Sequence, residues 1–254
     1  MIDALRAQHL GIVFQPQYLL PGTTLCGFEA LVRLNMADER SIAPEHFLPL
    51  AAHAGLMGAL TLFMVETACR TLKAWRELGH PPVFISVNIE CEDLADILFA
   101  PRVCRMLAEH QVHRGQLEFE LVERRFLELC DTSRTNITQL RGAGVRLAMD
   151  DFGTGHSALS QLAELPFDVV KIDKSFLARI PQDAVACTLL ARVVDLCRAL
   201  HKQVVIEGVE SVAQLDWIAA LPLQGIRLQG NALSLPLPGA QAWAARPQHA
   251  ARSE

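Results

Sequence analysis

The chain has 254 residues, 51% of them hydrophobic, with 23 Lys plus Arg against 28 Asp plus Glu and a formal charge of −5. That length can bury a substantial core, and it suits either two small domains or one α/β barrel of about 250 residues. Mild acidity spread along the chain argues against a nonspecific binder of DNA or RNA duplexes or of anionic membranes.

The opening MIDALRAQHL has neither a basic n-region nor an apolar h-region, and the apolar run ALTLFMV is too short to cross a bilayer. A chain without a membrane segment, working in the cytoplasm, is expected. Short runs rich in Val, Ile and Phe then alternate with stretches of helical period. Strands are predicted at GIVFQPQY (11–18), GFEALVRL (27–34), VFISVNI (83–89), LEFELV (117–122), VRLAMD (145–150), DVVKID (168–173), QVVIEG (203–208) and GIRLQG (225–230). Between them, 60–79 shows apolar residues at three- and four-residue spacing and stops at Gly79. A second such stretch, 183–202, opens on Asp183 as a cap and closes on basic residues. Helices are also predicted for 132–144 and 211–221. The closing QAWAARPQHAARSE reads as a frayed tail over 241–254, leaving 1–240 as one domain.

Strands alternating with helices imply βα units and a largely parallel sheet. Eight strands in one linker-free chain favour closure into a TIM-like (β/α)8 barrel. The first two strands, joined by LLPGTTLC, are close enough to be a hairpin, so one strand near the N-terminus should run antiparallel.

Most of these runs carry one hard polar side chain at or near the end. Glu29, Asn88, Glu120, Asp150, Asp151, Lys171, Asp173, Glu207 and Gln229 form the series. Each alone has a plain explanation, since an Asp after a strand is usually a turn or cap and a lysine usually points to solvent. Together they fall on the barrel face that collects strand C-terminal ends, where active sites are built. Five of these carboxylates, crowded together there, stay ionised only beside cations. With oxygen donors and no His or Cys, the cations expected are Mg²⁺ or Mn²⁺, two per site, and Lys171 adds a fixed positive charge. Metal-assisted phosphodiester hydrolysis is the reaction class that follows. Cys26, Cys69, Cys91, Cys104, Cys130, Cys187 and Cys197 form no CxxC pair and read as free thiols of a reducing compartment.

The motifs FQP, GFEALVR, FLPLAAHAGL, SVN, EFELVE, MDDFGTGHS, LPFDVVKID, VIEGVES and LQG occur in that order. In these the chain resembles the EAL-domain cyclic di-GMP phosphodiesterases over about residues 10 to 240. The resemblance implies hydrolysis of cyclic di-GMP to linear pGpG, with metal ligands at Glu29, Asn88, Glu120, Asp150, Asp151 and Glu207. It implies catalytic roles for Glu207 as general base, Lys171 as the group orienting water, and Asp151. Substrate contacts fall on Gln15, Glu29, Leu31, Arg33 and Gln229. Glu123 matches a residue bracing the loop after the Asp pair, Glu210 a supporting position, and the family commonly forms homodimers.

Departures from the family pattern cluster around that loop and the last strand: Val122, His156, Ala158, Glu90, Asn231 and Ala232. None removes a ligand. They motivate the alternative of a degenerate module that acts as a cyclic di-GMP receptor or protein-interaction domain. An unrelated metal-dependent barrel enzyme would share the strand-tip carboxylates but not Arg33 or the motif order.

Overall fold

The computed structural model describes residues 10–21, 24–35, 41–123, 129–153, 166–221 and 225–243. Ten strands form one sheet: β1 (Leu10–Leu19), β2 (Thr24–Asn35), β3 (Ser41–Ile42), β4 (Phe84–Asn88), β5 (Leu117–Val122), β6 (Arg146–Phe152), β7 (Val169–Ile172), β8 (Gln203–Ile206), β9 (Arg227–Leu228) and β10 (Leu237–Pro238). The pairing order β1-β9-β8-β7-β6-β5-β4-β2 is closed by a β1–β2 ladder, giving an eight-stranded barrel with β3 and β10 as rim additions. From β2 through β9 the pairs are parallel, whereas β1 runs antiparallel to both β2 and β9. The expected hairpin and single reversed strand are therefore present.

The helical periods predict the outer layer well. The helix Met57–Glu77 buries Leu60, Met64, Val65, Ala68, Cys69, Leu72 and Trp75, a stripe at three- and four-residue spacing. Ala184–Ala199 begins at Asp183, whose Oδ1 accepts from the backbone N–H of Val185 (2.8 Å) and of Ala186 (3.3 Å). Asp131–Ala143 ends at Gly144, held at φ +95°, where a Cβ would meet the Arg114 backbone at 2.9 Å. Val212–Ala219 opens with a capping box made by Ser211 and Gln214.

Among the described residues four helices were not anticipated: Pro44–His53, Cys91–Ala95, Phe99–Glu109 and the short Gly239–Ala242. The expected tail at 241–254 also begins inside the packed body. Ala242 is buried, and Trp243 packs edge-on to Trp75 at 5.5 Å and stacks on His80 at 4.4 Å. Residues 244–254 lie outside the described residues. Among the described residues no helix is long and apolar enough to cross a membrane, and all seven cysteines are free.

Most of the core lies between barrel and helices. Ala148, Val169 and Val205, on adjacent strands, form a separate small cluster, the apolar filling of the barrel's inside. Because strand side chains alternate, the residues two positions along from these, Asp150, Lys171 and Glu207, share the inward face and reach the mouth.

Candidate active site

Lys171 organises the mouth. Its side chain is 1% exposed, and its Nζ lies 2.5 Å from Glu120, 2.8 Å from Glu207, 3.1 Å from Asp150 and 3.8 Å from Glu29. Burial works against its charge, but the four carboxylates together outweigh burial and hold its pKa well above the usual lysine value. The acids show the opposite strain. Burial first, then neighbouring Glu29, pushes Glu120 well above the carboxylate range, with Lys171 pulling only partly back. Glu207 is pushed up to about 8 by burial, with Asp150 and Glu29 adding to the shift and Lys171 opposing it.

Glu29 is held from two sides. Its Oε1 accepts from Asn88 Nδ2 at 3.0 Å, and its Oε2 accepts from Gln229 Nε2 at 2.6 Å. Gln15, the ladder partner of Glu29, accepts a second bond from the same Gln229 amide at 3.0 Å.

Adjacent residues of a strand normally face opposite ways, yet Asp150 and Asp151 both serve the mouth. The β6–β7 register breaks between Met149 and Phe152, and Asp151 takes φ +55°, a conformation rare for a residue with a Cβ. The irregularity turns the second carboxylate back, so that one oxygen from each of Asp150, Asp151 and Glu207 lies within 4.8 Å of the others. The chain then passes Gly153 at φ +97°, whose N–H donates to Glu123 Oε2 at 3.0 Å. Glu123 thus bonds the backbone just after the Asp pair, whereas His156 and Ala158 lie outside the described residues.

A polar cavity of about 360 Å³ is lined by Gln15, Glu29, Asp150, Asp151, Lys171 and Glu207, with Gln229 and Glu210 on its wall. Asn88 and Glu120 reach it through their bonds to Glu29 and Lys171. Glu210 stands exposed at the rim, its backbone N–H donating to Gln214 Oε1. Leu31 and Arg33 do not line this cavity. Leu31 lines an adjoining apolar cavity of about 220 Å³ with Leu48, Met57 and Met64, walled on its polar side by Asn88 and Glu90. The guanidinium of Arg33 donates to the Val32 carbonyl at 2.9 Å.

The donor set suits hard divalent cations, being carboxylate and amide oxygen throughout. One observation supports the fit independently. Glu120 Oε1 is buried with no hydrogen-bond partner among the described residues, and so large a desolvation cost is removed by a bound cation.

Two residues at or behind the wall were not singled out from the sequence. Lys174 lines the cavity beside Asp173. Gln17, fully buried, donates to Gln229 Oε1 at 2.9 Å. The signal for Gln17 was available, because the FQPQ alternation puts it on the same strand face as Gln15.

Comparison with known proteins gives one consistent result. A family model described as EAL domain matches residues 2–236. The bifunctional diguanylate cyclase/cyclic di-GMP phosphodiesterase MucR of Pseudomonas aeruginosa is 33% identical over 239 residues, 94% of this chain and 35% of the relative. The probable cyclic di-GMP phosphodiesterase PdeB of Escherichia coli is 32% identical over 216 residues, 85% of this chain and 41% of the relative. The chain thus spans well under half the length of these curated relatives. Among solved structures, the PaMucR phosphodiesterase in its c-di-GMP complex matches with a TM-score of 0.85 at 32% identity, covering 94% of this chain and 96% of that one. An EAL domain protein from Listeria monocytogenes matches with a TM-score of 0.81 at 31% identity, covering 94% and 93%.

Proposed function

The chain belongs to the EAL-domain family, and from that premise we propose that it is a metal-dependent phosphodiesterase that opens cyclic di-GMP to linear pGpG. The observation that carries this reading is the convergence of Glu29, Asp150, Asp151, Glu207 and Lys171 on one polar cavity. Relatives named as cyclic di-GMP phosphodiesterases and a relative solved with c-di-GMP support the substrate. Glu29, Asn88, Glu120, Asp150, Asp151 and Glu207 hold Mg²⁺ or Mn²⁺. Five carboxylates against one ammonium leave a deficit that two divalent cations neutralise. When bound, such ions supply Lewis acidity toward a phosphate diester.

The chain's own groups divide the remaining work. Glu207, which lines this cavity, takes the proton of the attacking water. Lys171 orients that water and meets the charge that develops on the phosphate. Gln15 and Gln229 contact the substrate, Arg33 offers a guanidinium to a phosphate oxygen, and Leu31 presents an apolar wall to a base. Incubation with cyclic di-GMP and Mn²⁺, followed by anion-exchange separation, should yield pGpG from the wild type and none from Glu29→Ala. Intact substrate after hours at micromolar protein would overturn the reading, and tight calorimetric binding without product would identify a receptor instead.

We also assign a homodimer and a cytoplasmic setting. The seven free thiols suit a reducing compartment. Val185, Leu189 and Leu196 are 74%, 53% and 37% exposed along one face of the helix Ala184–Ala199, a surface a second copy would cover. Light scattering should give twice the chain mass, falling to the chain mass in Leu189→Glu; a monomeric wild type would refute the dimer.

A further inference from the structure

Gln17 is the most deeply placed polar residue of β1, 0% exposed, and has no part in the site as read above. It sits where the β1–β2 ladder is irregular: Gln17 pairs with Gly27 and Tyr18 with Leu25, so Cys26 is an extra residue. The Cys26 thiol donates to the Gln17 carbonyl at 3.3 Å, which anchors the backbone at the bulge. On the other side Tyr18 pairs with Leu228 of β9, which brings the Gln17 side chain against Gln229.

The chain of amides from there has a polarity that chemistry dictates. Both Glu29 oxygens accept, Oε1 from Asn88 and Oε2 from Gln229, so it is the NH₂ end of Gln229 that faces the carboxylate. That NH₂ donates to Glu29 Oε2 (2.6 Å) and to Gln15 Oε1 (3.0 Å). The Gln229 oxygen then faces the interior and needs a donor, and Gln17 Nε2 supplies it at 2.9 Å. Gln17 Oε1 is left buried with no hydrogen-bond partner among the described residues. A buried unpaired acceptor costs stability, and an apolar side chain of similar size would avoid that cost.

We infer that Gln17 is a positioning residue: it fixes which end of the Gln229 amide faces Glu29, and through Gln229 it sets the orientation of the Glu29 carboxylate. The consequence for metal binding rests on the function proposed above; the amide orientation does not. With Gln17 gone, Gln229 is free to turn its oxygen toward Glu29, placing two acceptors face to face.

The test uses the whole chain in two variants. Gln17→Met removes the donor and the unpaired oxygen together at similar volume, while Gln17→Glu replaces the donor with an acceptor. In metal-free ¹⁵N-labelled protein, the side-chain amide protons of Gln229 should exchange slowly in the wild type and much faster in Gln17→Met. Calorimetric Mn²⁺ affinity should fall about 10-fold in Gln17→Met and about 100-fold in Gln17→Glu, the range seen when groups supporting a metal ligand are removed. The melting temperature of Gln17→Met should stay level or rise, which a purely structural role would not give. Unchanged amide exchange and unchanged Mn²⁺ affinity in Gln17→Met would overturn the inference. A wild type that binds no Mn²⁺, with Gln229 still released by Gln17→Met, would sink the functional reading and leave the relay standing.

Discussion

Glu118 and Glu120 lie two positions apart on β5, both 0% exposed, and their surroundings could hardly differ more. Glu118 sits at the barrel floor, where its two oxygens take Arg227 Nη1 at 3.0 and 3.1 Å and Arg146 Nε lies 3.3 Å away. Gln203 accepts from both arginines, and their guanidinium groups lie over the Phe84 ring at 4.1 and 4.8 Å. Gly27 leaves room for that ring, since a Cβ there would come within 2.3 Å of it. Glu120 sits at the mouth, where a single ammonium faces Glu29, Glu120, Asp150 and Glu207, with Asp151 beside them. The floor carries its own neutralisation and is a structural plug. The mouth carries an unmet demand for positive charge, and that imbalance separates a site from a brace built of the same residue type.

The contrast breaks most visibly at Lys171. In metal-free protein Lys171→Met removes the cation that pairs with Glu29, Glu120, Asp150 and Glu207 and should cost about 3–5 kcal/mol of unfolding free energy. Urea denaturation with EDTA measures the loss, and saturating Mn²⁺ should restore most of it by supplying the missing charge. A variant as stable as the wild type in EDTA would show that Lys171 does not hold the mouth together. At the floor, Arg227→Met leaves Glu118 with Arg146 alone and should cost about 3 kcal/mol. Here Mn²⁺ should leave the gap to wild type unchanged, because it stabilises both proteins equally through the intact mouth. Adding Glu118→Leu should recover much of the loss, because removing both partners of a buried pair costs less than removing one. Closing of the gap between Arg227→Met and wild type by Mn²⁺ would erase the distinction between the two ends.

The mouth was far more legible in the sequence than the floor. Polar residues ending apolar runs announce themselves, and a barrel gathers strand ends whatever their separation. Glu118 gives no such signal: it opens LEFELV on the same alternation as Glu120, and its arginine partner lies 109 residues away. Only closure of the sheet brings the two together. The same holds for Gln17 and Gln229, which are 212 residues apart. Lys171 was readable as a charge but not as a fully buried one, because burial depends on strand stagger. Among helices, Phe99–Glu109 was hidden by Pro101, which sits in the first turn where its missing N–H costs no bond. Pro44 at the first position and Pro49 inside the helix obscure Pro44–His53 as well. Asp150 and Asp151 were both expected at the mouth, but not the means: adjacent acids on a strand face opposite ways, and the register break returns the second.

The smallest effect is also the finest probe of that imbalance. Glu207, ordinarily near 4.5, is pushed up to about 8 in the metal-free fold. Between these values the folded chain keeps a proton that the unfolded chain has released. Stability contributed by that proton is therefore complete below about pH 4.5 and is lost as pH rises toward 8. The slope for one proton is at most about 1.4 kcal/mol per pH unit. The raised pKa of Lys171 lies well above the ordinary lysine value of 10.5, so it adds nothing within this window. Urea denaturation in EDTA at intervals from pH 5 to 8 should show the decline, and Glu207→Gln should make it shallower, with the raised carboxyl of Glu120 supplying what remains. Arg227→Met should lower the whole curve and keep its slope, since the titrating group is at the other end of the barrel. Saturating Mn²⁺ should flatten or reverse the slope, because cation and proton compete for the same oxygens. A level metal-free profile in the wild type would mean that the mouth reaches neutrality without borrowing a proton, and the distinction between floor and mouth would lose its electrostatic basis.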